Sequence, residues 1–338
     1  DLSQYNWYNN YTAQKDKLNQ LETIDFEPVL QLKWDTLLKI YEDIGSKTLK
    51  SKDTKQFIQS NPWLKSYSIF CHLRDKNKTP VFSDWKEYAV FNPKIIDKFW
   101  SKDNPTKEVG FYVFIQYFLD LQLKEVKAYG RSKRIVLKGD LPIGIYRNSC
   151  DAWINPQLFH MDQQAGAPPD DYAINGQNWG FPTYNWEEMS KDGYAWWQSR
   201  MAQLATYFDA LRIDHILGFF RIWSIPVTQI SGTLGLFYPR LPLHINEIAS
   251  YGLKGDLNRY TKPYIRTYML QQLFDKNWEE VVDCFLLEVF DDAYIFKAEF
   301  DTQEKVAKAI EPAQYNKFQK HSTKILALLT EVLLIEEP

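Results

Sequence analysis

The sequence predicts an α/β protein built on a parallel sheet or barrel, and two observations support this fold class. An apolar, β-branched run at 134–145 is followed by a long aromatic-rich connection, a helical stretch at 194–210 and a second apolar run at 211–216. Strand, connection, helix and strand in this order form the repeating unit of parallel α/β folds. Residues 25–130 show the three- and four-residue apolar spacing of amphipathic helices. The protein is therefore expected to combine parallel strands with a large helical part.

Three helices are predicted in the N-terminal part of the chain. Residues 25–44 place apolar side chains at intervals of three and four behind an acidic first turn. Residues 61–75 begin with Asn-Pro, and proline is favoured at the first helical positions. Residues 110–130 form a longer apolar stretch that ends at glycine, a common helix terminator. Beyond residue 225 the sequence becomes polar again and is expected to be helical.

The number of strong strands is small for a complete barrel. Only 134–145 and 211–216 are convincing parallel strands in a chain of 338 residues. An eight-stranded barrel of about 250 residues needs eight such strands. Either the remaining strands lie outside this chain, or large helical insertions separate them.

The charge and cysteine content exclude several classes of function. The 40 Lys and Arg nearly balance the 43 Asp and Glu, and no basic tract predicts a nucleic-acid partner or an anionic membrane. Cys71, Cys150 and Cys284 have neither disulfide nor metal-site spacing, and the histidines are scattered, so we expect no metal and no cofactor. The N-terminus does not resemble a signal peptide. A cytoplasmic, soluble piece of a larger protein is expected, of unknown oligomeric state.

The aromatic content suggests a ligand class. Phe, Trp and Tyr make up 16% of the residues, with 12 Trp, 21 Tyr and 21 Phe. Most of these rings belong in the core, which is the commoner use of aromatic side chains. Rings that remain at the surface can stack on the flat C–H faces of sugars. Carbohydrate is therefore the first ligand class to consider.

Charged residues interrupt the second predicted strand. In the run LRIDHI, strand alternation places Arg212 and Asp214 on one face and Leu211 and Ile213 on the other, so the apolar pair is expected beneath covering helices. The carboxyl ends of parallel strands are where catalytic groups collect. An arginine beside Asp214 favours the ionised carboxylate, which attack on an anomeric carbon requires. The alternative is a structural ion pair buried for packing.

A second carboxylate strengthens the catalytic interpretation. Asp140 follows the first apolar strand, in the sequence GDLPIG. Two acids at the ends of two predicted buried strands are difficult to explain by packing alone. His215 on its own is compatible with a core histidine. Neither a serine nucleophile motif nor a glycine-rich phosphate loop is present.

Three long motifs closely resemble the 4-alpha-glucanotransferases, also called amylomaltases or disproportionating enzymes, of glycoside hydrolase family 77. They are KGDLPIGIYRNSCDAW, GAPPDDYAINGQNWGFPTYNWEEMSKDGYAWW and YFDALRIDHILGFFRIWSIP, in the order and spacing of that family. FRIWSIP followed by GLFYPRLPLH is most similar to the long, plant-cytosolic type of branch. The resemblance implies an α/β fold that is part of a (β/α)8 TIM barrel with large helical insertions, incomplete in this chain. It also implies retaining, two-step transfer of α-1,4-glucan segments between maltodextrin or glycogen-like donors and acceptors.

The resemblance assigns catalytic roles to residues of the third motif. By its position, Asp214 matches the nucleophile that forms the covalent glucosyl-enzyme intermediate. Arg212 matches the arginine that orients this carboxylate and keeps it ionised. His215 follows in the RIDH sequence and is expected to contact the sugar at the cleavage point.

Other matched positions are expected to bind substrate. Asp140 matches the carboxylate of the GDLPI strand, and Gln177 and Trp179 in GQNWG match loop residues that hydrogen-bond to the glucan and stack on it. Many relatives have Asp-Tyr-Phe after the paired prolines, whereas this chain has Asp170, then a second aspartate, then Tyr172. Asp170 and Tyr172 are kept as substrate-binding candidates, although one aromatic position has become acidic.

The resemblance also implies an organisation in three regions. Residues 1–130 are expected to form a mostly helical subdomain inserted in the barrel. Residues 131–226 are expected to supply central barrel strands, substrate loops and the nucleophile. Residues 227–338 are expected to be a helical insertion that precedes later strands.

One part of the family's machinery is not found in the sequence. Its acid/base glutamate belongs to a Gly-Glu-Asp-Leu-Gly strand, and a transition-state aspartate belongs to a later His-Asp motif; neither is present. Glu288 and Glu331 lie in sequences that are expected to be helical and lack the flanking residues. We therefore expect this chain alone to be catalytically inactive. An α-amylase-like hydrolase and a non-catalytic glucan-binding protein are the alternatives.

Overall fold

The computed structural model describes residues 2–311 and 315–336. The chain folds into two compact units. Unit 1 contains the residues up to Asp140, together with Asn148–Asn155 and Gly193–Arg212. Unit 2 contains Leu141–Arg147, Pro156–Asp192 and the residues from Ile213 onward. The predicted helical subdomain 1–130 lies within unit 1 and the predicted insertion 227–338 within unit 2, while the predicted three-region organisation itself stays a prediction.

Unit 1 is mainly helical. Its helices are Tyr8–Asn19, Phe26–Lys50, Lys52–Ser60, Trp63–Asn77, Ile95–Phe99, Lys107–Ser132, Cys150–Ile154 and Ala195–Tyr207, with single 3-10 turns at Leu2–Gln4, Phe82–Asp84 and Lys86–Tyr88. A short antiparallel pair joins Trp100–Ser101 to Asn104–Pro105. The three predicted N-terminal helices are confirmed, because each apolar stripe is packed against the others.

Large aromatic side chains fill the core of unit 1. Phe70, Trp85 and Trp153 are buried, with ring centroids 5.1–5.8 Å apart. The Trp85 indole N–H donates to the Thr79 carbonyl at 3.0 Å, and that of Trp153 donates to the Tyr88 carbonyl at 2.9 Å. The Trp85 and Trp153 indoles therefore each keep a partner for their only polar atom, as stable burial requires.

A four-stranded antiparallel sheet forms one part of unit 2. Its strand order is Leu236–Tyr238, Ile222–Pro226, Gln163–Ala167 and Gln177–Asn178. The two central strands pair with Ala165 opposite Ser224. A smaller antiparallel pair links Phe159–His160 to Thr183–Tyr184, next to the helix Trp186–Ser190 and the 3-10 turn Pro156–Leu158. This sheet positions residues 177–181, here called the glucan loop because Gln177 and Trp179 are predicted to bind glucan, and residues 227–231, here called the bridging loop.

Residues 265–330, here called the C-terminal module, have a core of their own. The module contains the helices Thr267–Phe274, Trp278–Phe285, Gln303–Ile310 and Ser322–Leu328, and the 3-10 turns Asp275–Asn277, Ala298–Phe300 and Asn316–His321. Phe285 is fully buried against Phe300 and Phe318 at 5.0–5.1 Å between ring centroids. Two further helices, Ile245–Ser250 and Asn258–Thr261, precede the module.

The expectation that the chain beyond residue 225 is helical is wrong in part. The C-terminal module contains an antiparallel sheet in the order Ile265–Arg266, Ala293–Phe296, Leu286–Phe290. Glu288, expected in a helix, lies on this sheet opposite Tyr294. The sequence LLEVF is followed by two aspartates in the left-handed region, which allow a tight hairpin. Glu331 lies just after the helix Ser322–Leu328, outside any helix.

The two strands predicted to supply catalytic residues are hydrogen-bonded to each other, although they are shorter than expected. They span Lys138–Leu141 and Ala210–Ile213. In unit 1 the Asp209 N–H donates to the Leu137 carbonyl at 2.8 Å, and in unit 2 the Asp214 N–H donates to the Leu141 carbonyl at 3.2 Å. The bonded positions advance together along both segments, as they do in a parallel pair. Pro142 has no N–H to donate, so the first strand ends there.

The burial expected for the second strand is wrong. Leu211 is half-buried, but Ile213, expected beneath helices, is 43% exposed. The strand has a single strand neighbour within residues 2–311 and 315–336, so its other edge is uncovered by any described strand. Strand alternation predicts which side chains share a face, and only the neighbouring layers decide whether that face is buried.

The described residues form small sheets of two to four strands, and none of these sheets closes into a barrel. Within the same residues, no helix is long and apolar enough to cross a membrane.

Candidate active site

Asp140 and Arg212 are the last residues of two chain segments of unit 1, and their side chains form an ion pair. The Arg212 guanidinium donates to Asp140 Oδ2 at 2.5 Å, and the two side chains are 60% and 53% exposed. An ion pair this exposed contributes about 0–1 kcal/mol to stability. Packing therefore does not explain why both charges stand at these strand ends. The prediction that Arg212 orients Asp214 stays a prediction.

Asp214 is the first residue after the strand Ala210–Ile213. Its backbone is held by the hydrogen bond to Leu141, and its side chain is exposed to solvent. A carboxylate that is anchored through the backbone and open to solvent can approach a dissolved substrate.

His215 turns the chain away from the strand. Its backbone is left-handed, with φ 46° and ψ 54°, an uncommon conformation for a residue other than glycine. The Gly218 position lets the imidazole fold back, because a Cβ there would lie 2.6 Å from His215 Cδ2. The sequence DHILG thus fixes the imidazole next to the nucleophile candidate.

Trp179 packs against His215 within unit 2. The Trp179 and His215 rings meet edge to face at 5.1 Å and 84°, and Trp179 stacks on Phe181 at 5.8 Å and 24°. The Trp179 indole N–H donates to Gln177 Oε1 at 3.0 Å. Three of the predicted site residues, Gln177, Trp179 and His215, are therefore brought together.

Gly144 makes this aromatic arrangement possible. A Cβ at Gly144 would lie 2.1 Å from Cδ2 of Phe181, closer than real Cβ atoms approach another atom. The glycine that ends GDLPIG therefore lets Phe181 pack beneath Trp179. Gly144 belongs to the GDLPIG motif, but the sequence alone indicates no role for it.

Arg147 is a second residue that the sequence analysis did not single out. Its guanidinium donates to the carbonyls of Met161 and Gln163, and at 3.3 Å to the Gly180 carbonyl in the glucan loop. Partial burial lowers the pKa of Arg147, opposed by the charge of Asp162. By donating to three carbonyls, Arg147 fixes the loops that carry them. Its position in the GIYRNS sequence, within the first family motif, was the only sequence feature that could have indicated this role.

Asp170 and Tyr172 have different roles in the structure. Asp170 Oδ1 accepts the Tyr172 N–H at 2.9 Å and the Ala173 N–H at 2.6 Å, a side-chain turn that shapes the loop. The Tyr172 ring is 98% exposed. Substrate binding by either residue stays a prediction.

The cluster has the chemistry of a sugar-binding surface. An indole next to an imidazole offers an apolar edge, the Gln177 amide offers hydrogen bonds, and the exposed carboxylate of Asp214 directly precedes His215 in the chain. Within residues 2–311 and 315–336, no cluster of three or more His, Cys, Asp or Glu could hold a metal ion.

Comparison with known proteins identifies the family. Residues 3–334 match the family model described as 4-alpha-glucanotransferase, of glycoside hydrolase family 77. The chain belongs to this family, which confirms the resemblance that the motifs suggested.

Two relatives show how much of a longer protein the chain represents. It is 42% identical over 337 residues to the rice 4-alpha-glucanotransferase DPE2, which is 96% of this chain and 36% of that protein. It is 34% identical over 237 residues to a 4-alpha-glucanotransferase of Chlamydia caviae, covering 67% of this chain and 42% of that protein. The chain thus spans about two fifths of the length of these relatives.

Two solved structures are similar in fold. An amylomaltase from Streptococcus agalactiae, in complex with acarbose, matches 69% of this chain and 50% of its own, with a TM-score of 0.54 and 25% identity. An amylomaltase from Corynebacterium glutamicum matches 75% and 35%, with a TM-score of 0.51 and 19% identity. The second likeness concerns the fold alone.

Proposed function

We propose that this chain is the nucleophile-bearing part of a retaining 4-alpha-glucanotransferase that transfers α-1,4-glucan segments between maltodextrin or glycogen-like donors and acceptors. The observation that supports it is the exposed Asp214 next to the Trp179–His215 contact, in a chain that matches the family model over residues 3–334. The family match does not favour the α-amylase-like hydrolase or the non-catalytic glucan-binding protein.

Asp214 is the proposed nucleophile. Its carboxylate oxygen forms a bond to C1 of the donor glucose while the glycosidic C–O bond breaks, and the leaving oxygen takes a proton from an acid. In the second step a hydroxyl of the acceptor glucan replaces the carboxylate at C1 and gives up its proton to the same acid/base group. Net retention follows from the two inversions.

Arg212, Asp140, His215 and the glucan loop have the proposed supporting roles. Arg212, already held by Asp140 at 2.5 Å, keeps a positive charge on the strand that leads to the nucleophile. Asp140 also has a free oxygen with which to accept a sugar hydroxyl. Trp179 stacks on the glucan and Gln177 hydrogen-bonds to it, with Asp170 and Tyr172 as outer contacts.

The barrel assignment belongs to this proposal. The two paired strands would be neighbours in a (β/α)8 TIM barrel that this chain supplies only in part, with residues 1–130 and 227–338 as insertions. The amylomaltase-like fold of the similar structures supports this interpretation. A cytoplasmic location is proposed with it, because the described cysteines are free thiols, as is usual in a reducing compartment.

We further propose that the chain alone does not turn over glucan. Retaining transfer needs a second carboxyl group about 5–5.5 Å from the nucleophile, acting first as acid and then as base. The sequence contains no Gly-Glu-Asp-Leu-Gly segment. Glu288, which could be considered as the acid/base group, lies on an exposed strand of the C-terminal module.

The test is covalent labelling with α-maltotriosyl fluoride, whose fluoride leaves without protonation. We expect one maltotriosyl group on the peptide that contains Asp214, and its accumulation, because the water that would release it lacks a general base. Asp214→Asn should abolish the label, and Asp171→Asn, which changes another exposed aspartate, should retain it. Labelling that persists in Asp214→Asn, or that falls on another carboxylate of the unchanged chain, would refute the assignment.

Product analysis separates transfer from hydrolysis. With maltotriose as substrate, a transferase redistributes chain lengths with almost no gain in reducing ends, whereas a hydrolase gains one reducing end for each bond cut. Full-rate disproportionation by this chain would contradict the proposal that it lacks the acid/base group.

A further inference from the structure

The bridging loop, residues 227–231, lies between the glucan loop and the C-terminal module and is hydrogen-bonded to both. On one side it contacts the glucan loop through Asn178, and on the other it contacts the C-terminal module through Gln303. All of these contacts lie within unit 2.

Asn178 lies between Gln177 and Trp179 and uses all its polar groups locally. Its Nδ2 donates to the carbonyls of Gln229 and Ile230 at 3.2 and 3.1 Å. Its Oδ1 accepts the Gly180 N–H at 3.0 Å. The Asn178 side chain thus binds the bridging loop before Trp179 and also holds the Gly180 amide that follows Trp179.

Gln303 holds the bridging loop from the opposite side. It is 2% exposed, and its Oε1 accepts the N–H groups of Ile230 and Ser231 at 2.8 and 3.0 Å. Its Nε2 donates to the Leu326 carbonyl at 3.1 Å, inside the C-terminal module. The neighbouring Glu304 N–H donates to the Thr228 carbonyl at 3.0 Å.

The burial of Gln303 indicates that these contacts are specific. A buried amide without partners costs about 1–3 kcal/mol, so a glutamine is retained in a core only where its polar atoms are satisfied. Gln303 begins the helix Gln303–Ile310, whose other buried residues, Val306 and Ile310, are apolar. Its acceptor is directed at the bridging loop and not at its own helix.

We propose that Gln303 and Asn178 are positioning residues for Trp179, so that the C-terminal module sets the affinity of the glucan loop. The inference rests on the proposed function, because it takes the ligand of Trp179 to be an α-1,4-glucan. The bridging loop transmits the effect: without Gln303, residues 230 and 231 lose their anchors, and the two carbonyls that hold Asn178 become mobile. Trp179 then samples more orientations in the free protein, and glucan binding must order it.

The first experiment measures loop order without a ligand. Hydrogen–deuterium exchange is compared for the wild type, Gln303→Leu, Asn178→Ala and the control Val306→Ala, which removes buried volume from the same helix within the apolar core of the C-terminal module. We expect Gln303→Leu and Asn178→Ala to speed exchange of the Trp179 and Gly180 amides, and Val306→Ala to leave them unchanged. Unchanged exchange at these amides in both Gln303→Leu and Asn178→Ala would overturn the proposal.

The second experiment measures the effect on glucan. Acarbose and maltotetraose are titrated calorimetrically, and the rate of labelling by α-maltotriosyl fluoride is followed to saturation. We expect Kd to rise about 2- to 30-fold in Gln303→Leu and Asn178→Ala, the range typical of coupling through a packed network, with an unchanged saturating rate in Gln303→Leu. If Gln303 and Asn178 have a purely structural role, Val306→Ala should raise Kd by the same factor when its loss of Tm equals theirs.

The double variant tests whether both residues act through one path. If they do, the Kd of Gln303→Leu with Asn178→Ala should rise little beyond that of the worse single variant. A rise equal to the product of the two single effects contradicts a shared path. If the wild type binds neither sugar, the proposed function fails, and the exchange data alone decide whether Gln303 and Asn178 position Trp179.

Discussion

Gly144 shows how a single side-chain position controls the candidate site. The absent Cβ leaves space for Phe181, which supports the ring of Trp179 from below. The same logic applies at Gly218, next to the His215 imidazole. These two glycines are needed for close approach, since neither has a positive φ.

We therefore expect Gly144→Val to move Phe181 and Trp179. The forced displacement in a packed region should lower the free energy of unfolding by about 1–3 kcal/mol, measured by urea denaturation. Acarbose affinity should fall together with stability. The matched control is Gly130→Ala, where the nearest atom would be 3.6 Å from the new Cβ, an ordinary contact. Normal acarbose binding by Gly144→Val would show that Phe181 does not support the ring of Trp179.

The RIDH sequence, residues 212–215, shows what a short run of residues can and cannot reveal. The RIDH sequence alone left a structural ion pair open as the alternative, and the resemblance of three long motifs to one family made Asp214 the nucleophile candidate. The run could not reveal that Arg212 bonds to Asp140, since 72 residues separate them in the chain. That pairing depends on the two strands lying side by side.

At the scale of elements, Asp209 fixes the start of the strand that leads to Asp214. Its carboxylate accepts the Leu137 N–H at 3.2 Å and the Arg131 guanidinium at 2.6 Å, and its side chain is 15% exposed. One carboxylate thus joins the end of the helix Lys107–Ser132 to both strands. The Leu137 N–H and, next, the Arg131 guanidinium lower the pKa of Asp209.

The lowered pKa predicts acid sensitivity. A carboxyl group whose pKa is lower in the folded state contributes its full stabilisation above its unfolded pKa, about 3.9, and loses it as the pH falls through the folded value. Asp209→Asn should therefore lower Tm at pH 7, and the difference from wild type should shrink below about pH 4. Thermal unfolding monitored by circular dichroism measures both values. A difference that is constant between pH 7 and pH 3, or equal to that of Asp171→Asn, would contradict this role.

Element type was predictable where local periodicity is strong. The helices Phe26–Lys50, Trp63–Asn77 and Lys107–Ser132 appear where the apolar spacing places them. The sequence did not predict the hairpin that contains Glu288, because a largely apolar run of five residues fits a strand and a buried helix equally well. Its pairing partner, Ala293–Phe296, decides the matter.

At the scale of the whole molecule, the two units have separate apolar cores. One is centred on Trp85 and Trp153 in unit 1, and another on Phe285 and Phe318 in the C-terminal module of unit 2. Each core buries its own aromatic rings. Local stability should therefore respond mainly to changes in the core that is altered.

Phe285→Ala tests this independence. Removing a fully buried ring should cost about 3–5 kcal/mol in the C-terminal module. Hydrogen–deuterium exchange should quicken at the amides of residues 265–310, with those of Trp63–Asn77 in unit 1 almost unchanged. Val90, an exposed residue, provides the control as Val90→Ala. An equal increase in exchange across both units would show that the chain unfolds as one cooperative body.

The sequence by itself determined the family, the helices of the N-terminal part and the residue types that are predicted to act on sugars, because these depend on local order and composition. Only the tertiary structure decided that Arg212 bonds to Asp140, that Ile213 is exposed, and that Gln303 reaches the glucan loop through the bridging loop. Contacts between residues far apart in the chain depend on how strands and helices are packed. Hydrophobic periodicity records which face is apolar and leaves open what that face meets.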